Sequence, residues 1–171
     1  MLKHNVKKVS DLSGSSLDDY VSKLSAMGTE VARTGSEMVE SATEFRKNGF
    51  NDDDAAQLGQ IAAMYQNVSD EAISAADSSS FIIAQLTAFG DSMTGFTTQA
   101  EKATHVIDSV NEVANNFSVS SADLANNLGN MSAVMAQTGA SFEESLGMLT
   151  AITEVTRNAS KASRGNKSLS V

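Results

Sequence analysis

Residues 120–155 read SSADLANNLGNMSAVMAQTGASFEESLGMLTAITEV, and this stretch decides the fold. It contains two helix starts, because Ser120 with Asp123 and Ser141 with Glu144 both fit the capping box, in which a serine oxygen accepts from a first-turn amide while the acid reaches back. Gly139 stands between them, where a positive φ would close the first helix. Apolar residues recur at helical spacing behind each start: Leu124, Leu128, Met131 and Met135, then Phe142, Leu146, Leu149 and Ile152 or Val155. The stretch therefore predicts a helical hairpin.

The composition extends this prediction to the whole chain. The 171 residues include no proline, no cysteine and few aromatics. Such a composition favours an all-α fold of antiparallel helical hairpins without a sheet. The absence of cysteine excludes a disulfide framework and a thiolate site. No apolar run approaches the roughly 20 residues that a membrane span needs. The basic start of the chain lacks the apolar block of a signal peptide, so we expect a protein that works without secretion.

The charge is divided between an acidic body and two basic ends. The net charge is −9, but the part from Asp11 to Glu154 holds all 21 acids against 5 basic residues, a balance of −16, and the ends carry +7. An acidic body repels phosphate, so we predict no specific nucleic-acid binding by this domain. The basic ends are interpreted as solvated chain termini; contact with an acidic partner or another copy is the alternative.

A heptad column runs along the first predicted helix and is our candidate packing face for self-association or a partner. Small residues form a second column beside it, at Val21, Gly28, Gly35 and Ala42. A large column beside a small one lets two helices pack closely along their length, as in a coiled coil. Either residues 16–47 form one long helix, which we favour, or the helix breaks near Gly35. The column consists of Leu17, Leu24, Val31, Met38 and Phe45.

These patterns predict three parts of the chain. Residues 1–15 are expected to be a flexible segment. Residues 16–157 are expected to form a helical domain, with the long helix at 16–47 and helical hairpins at 52–157. Residues 158–171 are expected to be a basic tail that is a short helix or disordered. The sequence leaves open whether the hairpins close into one bundle or form an open array.

No catalytic, cofactor-binding or metal-binding constellation is found, and we predict no enzyme activity and no cofactor. His4 and His105 lie far apart, and a lone histidine in a helix is more often structural than catalytic. The stretch NDDDAAQLGQIA lacks the glutamate that ends a calcium loop. Met131, Met135 and Met148 are interpreted as flexible core filling, with a promiscuous groove as the alternative.

Most of the chain, from about Gly35 to Gly165, resembles the core region of bacteriophage tail tape measure proteins. The resemblance lies in the order of packing and capping residues rather than in a catalytic signature. It is carried by MVESATEFRKNGFNDDDAAQLGQIAAMYQNVSDEAISAADSSSFIIAQLTAFG, IDSVNEVANNFSVSSADLANNL and TGASFEESLGMLTAITEVTRNASKASRG.

The resemblance implies a structural role in a phage or prophage tail. Tape measure proteins are long helical chains around which the tail tube polymerises, and their length sets the length of the tube. It implies tail tube or tail assembly proteins as partners, self-association, and a location in the virion tail after assembly in the host cytoplasm. Since such proteins are usually far longer, we expect a domain-sized piece or a remnant from a prophage. The alternative is a non-phage bacterial helical adaptor or sensor-type module.

Overall fold

The computed structural model describes the backbone of residues 2–168 and the side chains of residues 3–158. Over this range the chain is entirely helical and contains no strand, which confirms the predicted all-α class. None of these helices is both long enough and apolar enough to cross a membrane. The helices are α1 Leu2–Lys7, α2 Gly14–Glu30, α3 Gly35–Lys47, α4 Asp52–Val68, α5 Ala75–Phe89, α6 Gln99–Asn116, α7 Ser121–Gln137 and α8 Phe142–Ser168.

Side-chain caps start most of the helices. The oxygen of Asn51 accepts from the amide of Asp54 at 2.8 Å, and Ser74 accepts from the amide of Asp77 at 3.0 Å. Thr98 begins α6 with a complete capping box, because Glu101 also accepts from the Thr98 amide at 3.0 Å. These bonds satisfy amides that the first turn of a helix leaves free. The caps therefore fix where each helix begins.

The prediction of one long helix over residues 16–47 is wrong, because the structure divides this range between α2 and α3. The break lies at residues 31–34, where Ala32 adopts a φ of 55°. Thr34 and Glu37 then form a capping box, with the Glu37 amide 3.2 Å from Thr34 Oγ1 and the Thr34 amide 2.9 Å from Glu37 Oε2. A second helix start inside the range is the physical reason for the break. Helix α2 also begins at Gly14, two residues before the expected start of the long helix at residue 16.

The column of small residues brings α2 and α3 of the same chain together. A Cβ at Gly28 would lie 2.8 Å from Met38 Cγ and 2.9 Å from the Arg33 carbonyl oxygen. A Cβ at Gly35 would lie 2.5 Å from Ser25 Oγ. Both approaches are closer than carbon and oxygen atoms tolerate without movement. The glycines are therefore needed for a hairpin within the chain.

Both ends of the chain are more helical than the sequence indicated. The segment expected to be flexible, residues 1–15, contains α1 and buries Val6 in the core. At the other end, where residues 158–171 were expected to be a short helix or disordered, α8 continues and its backbone stays helical to Ser168. Met1 and residues 169–171 of the expected basic tail lie outside the described residues.

The helices pack around α5, which contacts α3, α4, α6 and α7. The largest fully buried side chains are aromatic, including Phe45, Tyr65, Phe89 and Phe142. Helix α8 lies mainly on α7 and also touches α6. The predicted hairpins therefore close over one continuous core, and α8 is its outermost layer.

A polar latch fixes the start of α7 against the rest of the core. The Tyr65 hydroxyl donates to the Ser121 carbonyl at 3.1 Å, and the Ser121 hydroxyl donates to Asp70 Oδ1 at 2.6 Å. Burial raises the pKa of Tyr65 to about 12, so its hydroxyl stays protonated as a donor. The latch therefore sets the position of the last hairpin on the body.

We predict that Gly28→Ala destabilises the protein although alanine is the better helix former. The new methyl group would meet the Arg33 carbonyl, so the α2–α3 hairpin has to open. We expect a loss of about 1–3 kcal/mol in the free energy of unfolding, measured by urea denaturation. Gly129→Ala in α7 is the matched control, because nothing lies within 4 Å of its Cβ position; it should stabilise by about 1 kcal/mol. Stabilisation by both substitutions would contradict the close approach.

We also predict that Gln85→Met stabilises the protein. Gln85 is fully buried in α5, and among the described residues neither polar atom of its side chain has a hydrogen-bond partner. Such unpaired groups cost about 1–3 kcal/mol, and methionine fills a similar volume without them. The control is Gln66→Met, which removes one unpaired buried oxygen but also a bond of 2.9 Å to the Ile73 carbonyl, and should therefore stabilise less. Equal effects of the two variants on the melting temperature would contradict this prediction.

Candidate interaction surface

The heptad column that the sequence offered as a packing face lies inside the protein. Leu24, Met38 and Phe45 have no exposed surface, and Leu17 is also buried. Val31 is half-buried and packs against the same core. The column therefore mediates packing between helices of one chain. The prediction that it forms a surface for another molecule is wrong.

The apolar surface lies at the other end of the chain, on the α7–α8 hairpin. Eight large apolar side chains are exposed among the described residues, and five of them belong to this hairpin. The other three, Met64, Val68 and Phe117, lie on α4 and after α6. We call the five residues the hairpin strip; they are Met131, Val134, Met148, Ile152 and Val155.

The hairpin has the helix starts and the turn that the sequence predicted, but one of the two predicted capping boxes is incomplete. Ser120 Oγ accepts from the Asp123 amide at 2.9 Å, although the carboxylate of Asp123 does not complete the box. Ser141 and Glu144 form the full box, with bonds of 3.1 and 2.9 Å. Gly139 has a φ of 85°. The Ala140 amide bonds back to the Met135 carbonyl at 3.2 Å, so the turn is a Schellman motif.

Each helix of the hairpin has an apolar stripe that is wider than the part of its surface buried in the core. Leu124, Leu128, Met135, Phe142, Leu146 and Leu149 are buried, as their spacing predicted. Met131, Ile152 and Val155 were placed on the same stripes, but each is more than 40% exposed. In α8, Met148, Ile152 and Val155 follow the spacing i, i+4, i+7 and share one face, about 120° around the helix from the centre of the buried face. The sequence missed this surface because one stripe contains both a buried and an exposed part.

For the three methionines of this region, the sequence offered core filling and, as the alternative, a promiscuous groove. The structure divides them between the two. Met135 is buried and fills the core. Met131 and Met148 are exposed and belong to the hairpin strip. Flexible, polarizable methionine side chains adapt to partner surfaces of different shape. The exposed pair therefore fits a contact surface better than a core.

The hairpin strip lies in the least charged part of the chain. From Met131 to Val155, the span of the strip, the charged residues are Glu143 and Glu144, at the first turn of α8, and Glu154. The acidic body around it carries most of the charge of the protein. An exposed apolar surface without charge is typical of the central part of a protein interface.

Polar contacts hold the two helices of the hairpin in register. Asn127 Nδ2 donates to Thr153 Oγ1 at 2.8 Å, midway along the pair. Arg157 Nη1 donates to the Ser118 carbonyl at 3.3 Å, where α8 passes the start of α7. The two helices that carry the strip are therefore fixed relative to each other midway along α7 and at its start.

His105 packs against side chains near the first turn of α8. Its ring stacks on Phe96 at 4.7 Å between centroids and meets the edge of Phe142 at 5.8 Å. Its Nε2 lies 2.8 Å from Glu143 Oε1. Burial raises the pKa of Glu143, but hydrogen bonds from His105, from its own amide and from Ser141 outweigh burial and lower the pKa below its ordinary value. His105 thus ties α6 to the first turn of α8.

Neither the acidic run nor the cleft between α5 and α7 gathers groups for chemistry. Asp52, Asp53 and Asp54 begin α4, and the first two pair with Arg46 and Lys23 at 3.0 and 2.9 Å. Within the described part of the chain, no three histidine or acidic side chains cluster as metal ligands. A cleft of about 380 Å³ between α5 and α7 is lined mainly by alanine, asparagine and serine, and its one acid, Asp77, is bonded to the cap serine Ser74.

Comparison with known proteins gives one family. The family model described as "Phage-related minor tail protein" matches residues 22–170, which is most of the chain and includes the whole α7–α8 hairpin. No solved structure matches the chain.

The contact between His105 and Glu143 predicts an acid-sensitive contribution to stability. Because folding lowers the pKa of Glu143, its contribution is present above the ordinary glutamate pKa and is lost as the pH falls through the lowered value. We expect Glu143→Gln to melt below the wild type at neutral pH, with the difference disappearing once the pH is below the lowered pKa of Glu143. Glu40→Gln, at an exposed position of α3, is the control for loss of one charge. A constant difference from pH 7 to pH 3 would contradict the prediction.

Proposed function

The chain belongs to the family of phage-related minor tail proteins, and from this premise we propose that it is the core domain of a tail tape measure protein. In this role it acts in tail assembly and in setting tail length, through contacts between helices. It binds tail tube or tail assembly proteins and copies of itself. We place it in the host cytoplasm during assembly and in the virion tail afterwards.

The observation that carries this proposal is the hairpin strip within a chain of the tail family. Five exposed apolar side chains lie on one hairpin, in a stretch from Met131 to Val155 whose charged residues are Glu143, Glu144 and Glu154. Such a surface is stabilised when another apolar surface covers it, at roughly 25 cal/mol per Å² removed from water. A component of a large assembly needs a surface of this kind, and a protein that works alone does not.

The order of the helices supports the tape measure core in particular. The sequence elements that resemble that core correspond to α3–α5, the end of α6 with α7, and the α7–α8 turn with α8. They are the elements that form the closed body and its exposed hairpin. We assign no catalytic role to them, since their shared residues cap helices and fill the core.

A direct test alters the length of the gene product in the phage or prophage that encodes this chain. A helical segment of about 70 residues, inserted in frame after Ser168, would add up to about 105 Å if it stays helical. We expect the peak of the tail-length distribution, measured by electron microscopy, to move to longer tails by this amount at most. A scrambled segment of the same composition should give the same increase.

The control is a two-residue insertion at the same site, which should leave tail length unchanged and shows that the site accepts an insertion. Tails of normal length with the long insertion present would contradict a role in length determination. Membership of the tail family would stand in that case.

A further inference from the structure

The cleft between α5 and α7 is apolar on its inner side. It holds about 380 Å³, within the volume range of ligand pockets in proteins. Tyr65, Phe81 and Ala125 are buried and form the inner side, where the two aromatic rings lie 5.7 Å apart between centroids. The other apolar walls consist of small or half-buried residues, namely Ala72, Ile73, Ala84, Ala122 and Gly129. A ligand of this cleft therefore needs an apolar part that reaches inward.

The mouth of the cleft is polar. Asp77, Ser80, Asn126 and Asn130 line it and are all exposed, so their side-chain oxygens can accept hydrogen bonds from a ligand. Asp77 Oδ2 accepts from the Ser74 hydroxyl at 2.6 Å, and the second carboxylate oxygen, Oδ1, is not used in this bond. The ligand should therefore carry hydrogen-bond donors at its outer end.

The elements that form the cleft carry acids but no basic residue. Helices α4, α5 and α7 and the connection between α4 and α5 include no lysine, arginine or histidine. Besides Asp77, two exposed acids, Glu71 and Asp123, are adjacent in sequence to the lining residues Ala72 and Ala122. None of these three acids forms an ion pair with a side chain of residues 3–158. The mouth therefore has a negative potential that favours a cation.

Long basic side chains combine an apolar part with a cationic end. The stem of lysine or arginine packs along apolar surface while its charged group stays near water. In the cleft the stem would lie against Phe81 and the alanines, and the charged group would reach Asp77 at the mouth. A purely apolar side chain would cover the carboxylate without pairing it, which costs free energy.

We propose that the cleft between α5 and α7 binds a basic segment of a partner protein, with one lysine or arginine side chain inserted. A protein is the macromolecule that fits, because an acidic mouth repels nucleic acid and anionic lipid. The balance of −16 in the body of this chain adds attraction at long range and raises the rate of encounter with a basic partner.

The cleft is separate from the hairpin strip. On α7 the residues that line the cleft centre about 140° around the helix from Met131 and Val134. A partner in the cleft therefore leaves the strip open to a different contact. The inference goes beyond the proposed function, because it depends neither on the strip nor on tail length.

The first experiment titrates the intact chain with the blocked peptide acetyl-Gly-Ala-Arg-Ala-Gly-amide and follows the alanine methyl signals by NMR. We expect the signals of Ala84, Ala122 and Ala125 to shift with this peptide and with its lysine analogue. The analogue with citrulline, a neutral isostere of arginine, should bind at least roughly tenfold more weakly, because it lacks the charge-assisted bond. Absence of shifts in the cleft at millimolar peptide, or equal binding of the citrulline peptide, would overturn the proposal.

The second experiment removes the charge at the mouth. Asp77→Asn should weaken binding of the arginine peptide at least roughly tenfold, while the Ser74 cap of the α5 amide is retained. Asp54→Asn is the matched control, because Asp54 also lies in a first turn and also accepts from its cap residue, at 2.7 Å from Asn51. It should leave binding unchanged. Equal losses would indicate general attraction to the acidic body and overturn the site.

A third variant fills the cleft and leaves every charge in place. Nothing lies within 4 Å of a Cβ at Gly129, so the fold accepts Gly129→Leu and the new side chain occupies the α7 wall. Binding of the arginine peptide should fall at least roughly tenfold. Gly147→Leu is the matched control, an exposed glycine of α8 with the same open space, and should bind as the wild type does. Unchanged binding by Gly129→Leu would overturn the site.

Sedimentation of the chain without peptide distinguishes a partner protein from a second copy. We expect Asp77→Asn to leave the mass at each concentration unchanged. A complex of identical chains that Asp77→Asn dissociates would place a second copy in the cleft and overturn the assignment to another protein. The proposed function is tested apart from this: failure of the titration leaves the tail role standing, and failure of the tail-length experiment leaves the cleft standing.

Discussion

A helix can bury only one face against its own chain, and α8 carries apolar residues on two. Phe142, Leu146 and Leu149 pack on α7 and the core, while Met148, Ile152 and Val155 are left in water. Its position as the outermost helix follows from the α7–α8 turn, in which Gly139 and the Ser141 cap reverse the chain. The hydrophobic effect therefore stabilises the fold on one side of α8 and favours association on the other.

Charge restricts where association can occur. The body is strongly acidic, so most of its surface repels a second copy, and the hairpin is the region where this repulsion is weakest. The caps that start the helices place acids at helix N-termini, where the helix dipole stabilises them. In the hairpin, Asp123, Glu143 and Glu144 lie in first turns of this kind, and Glu154 lies farther along α8.

The sequence predicted the class of the fold, the hairpin and most of its buried residues, because capping and helical spacing are local signals. The sequence analysis failed where the structure depends on which helices pack against each other. The column from Leu17 to Phe45 has the spacing of an intermolecular seam, but Gly28 and Gly35 fit it to its own chain. Thr34 and Glu37 were the available signal for the break between α2 and α3. The small and polar residues after residue 157 give too weak an apolar pattern to decide between a short helix and disorder, and the backbone of α8 stays helical to Ser168.

The central claim is that the α7–α8 hairpin is the surface this protein uses in assembly. Oxidative footprinting tests it directly, because Met131 and Met148 lie on the strip and Met64, of similar exposure, lies on α4. The rates of methionine oxidation are compared between the isolated chain at low concentration and assembled tails. We predict that Met131 and Met148 oxidise several times more slowly in tails, with a smaller change at Met64. Equal oxidation of Met131 and Met148 in both states would contradict the account.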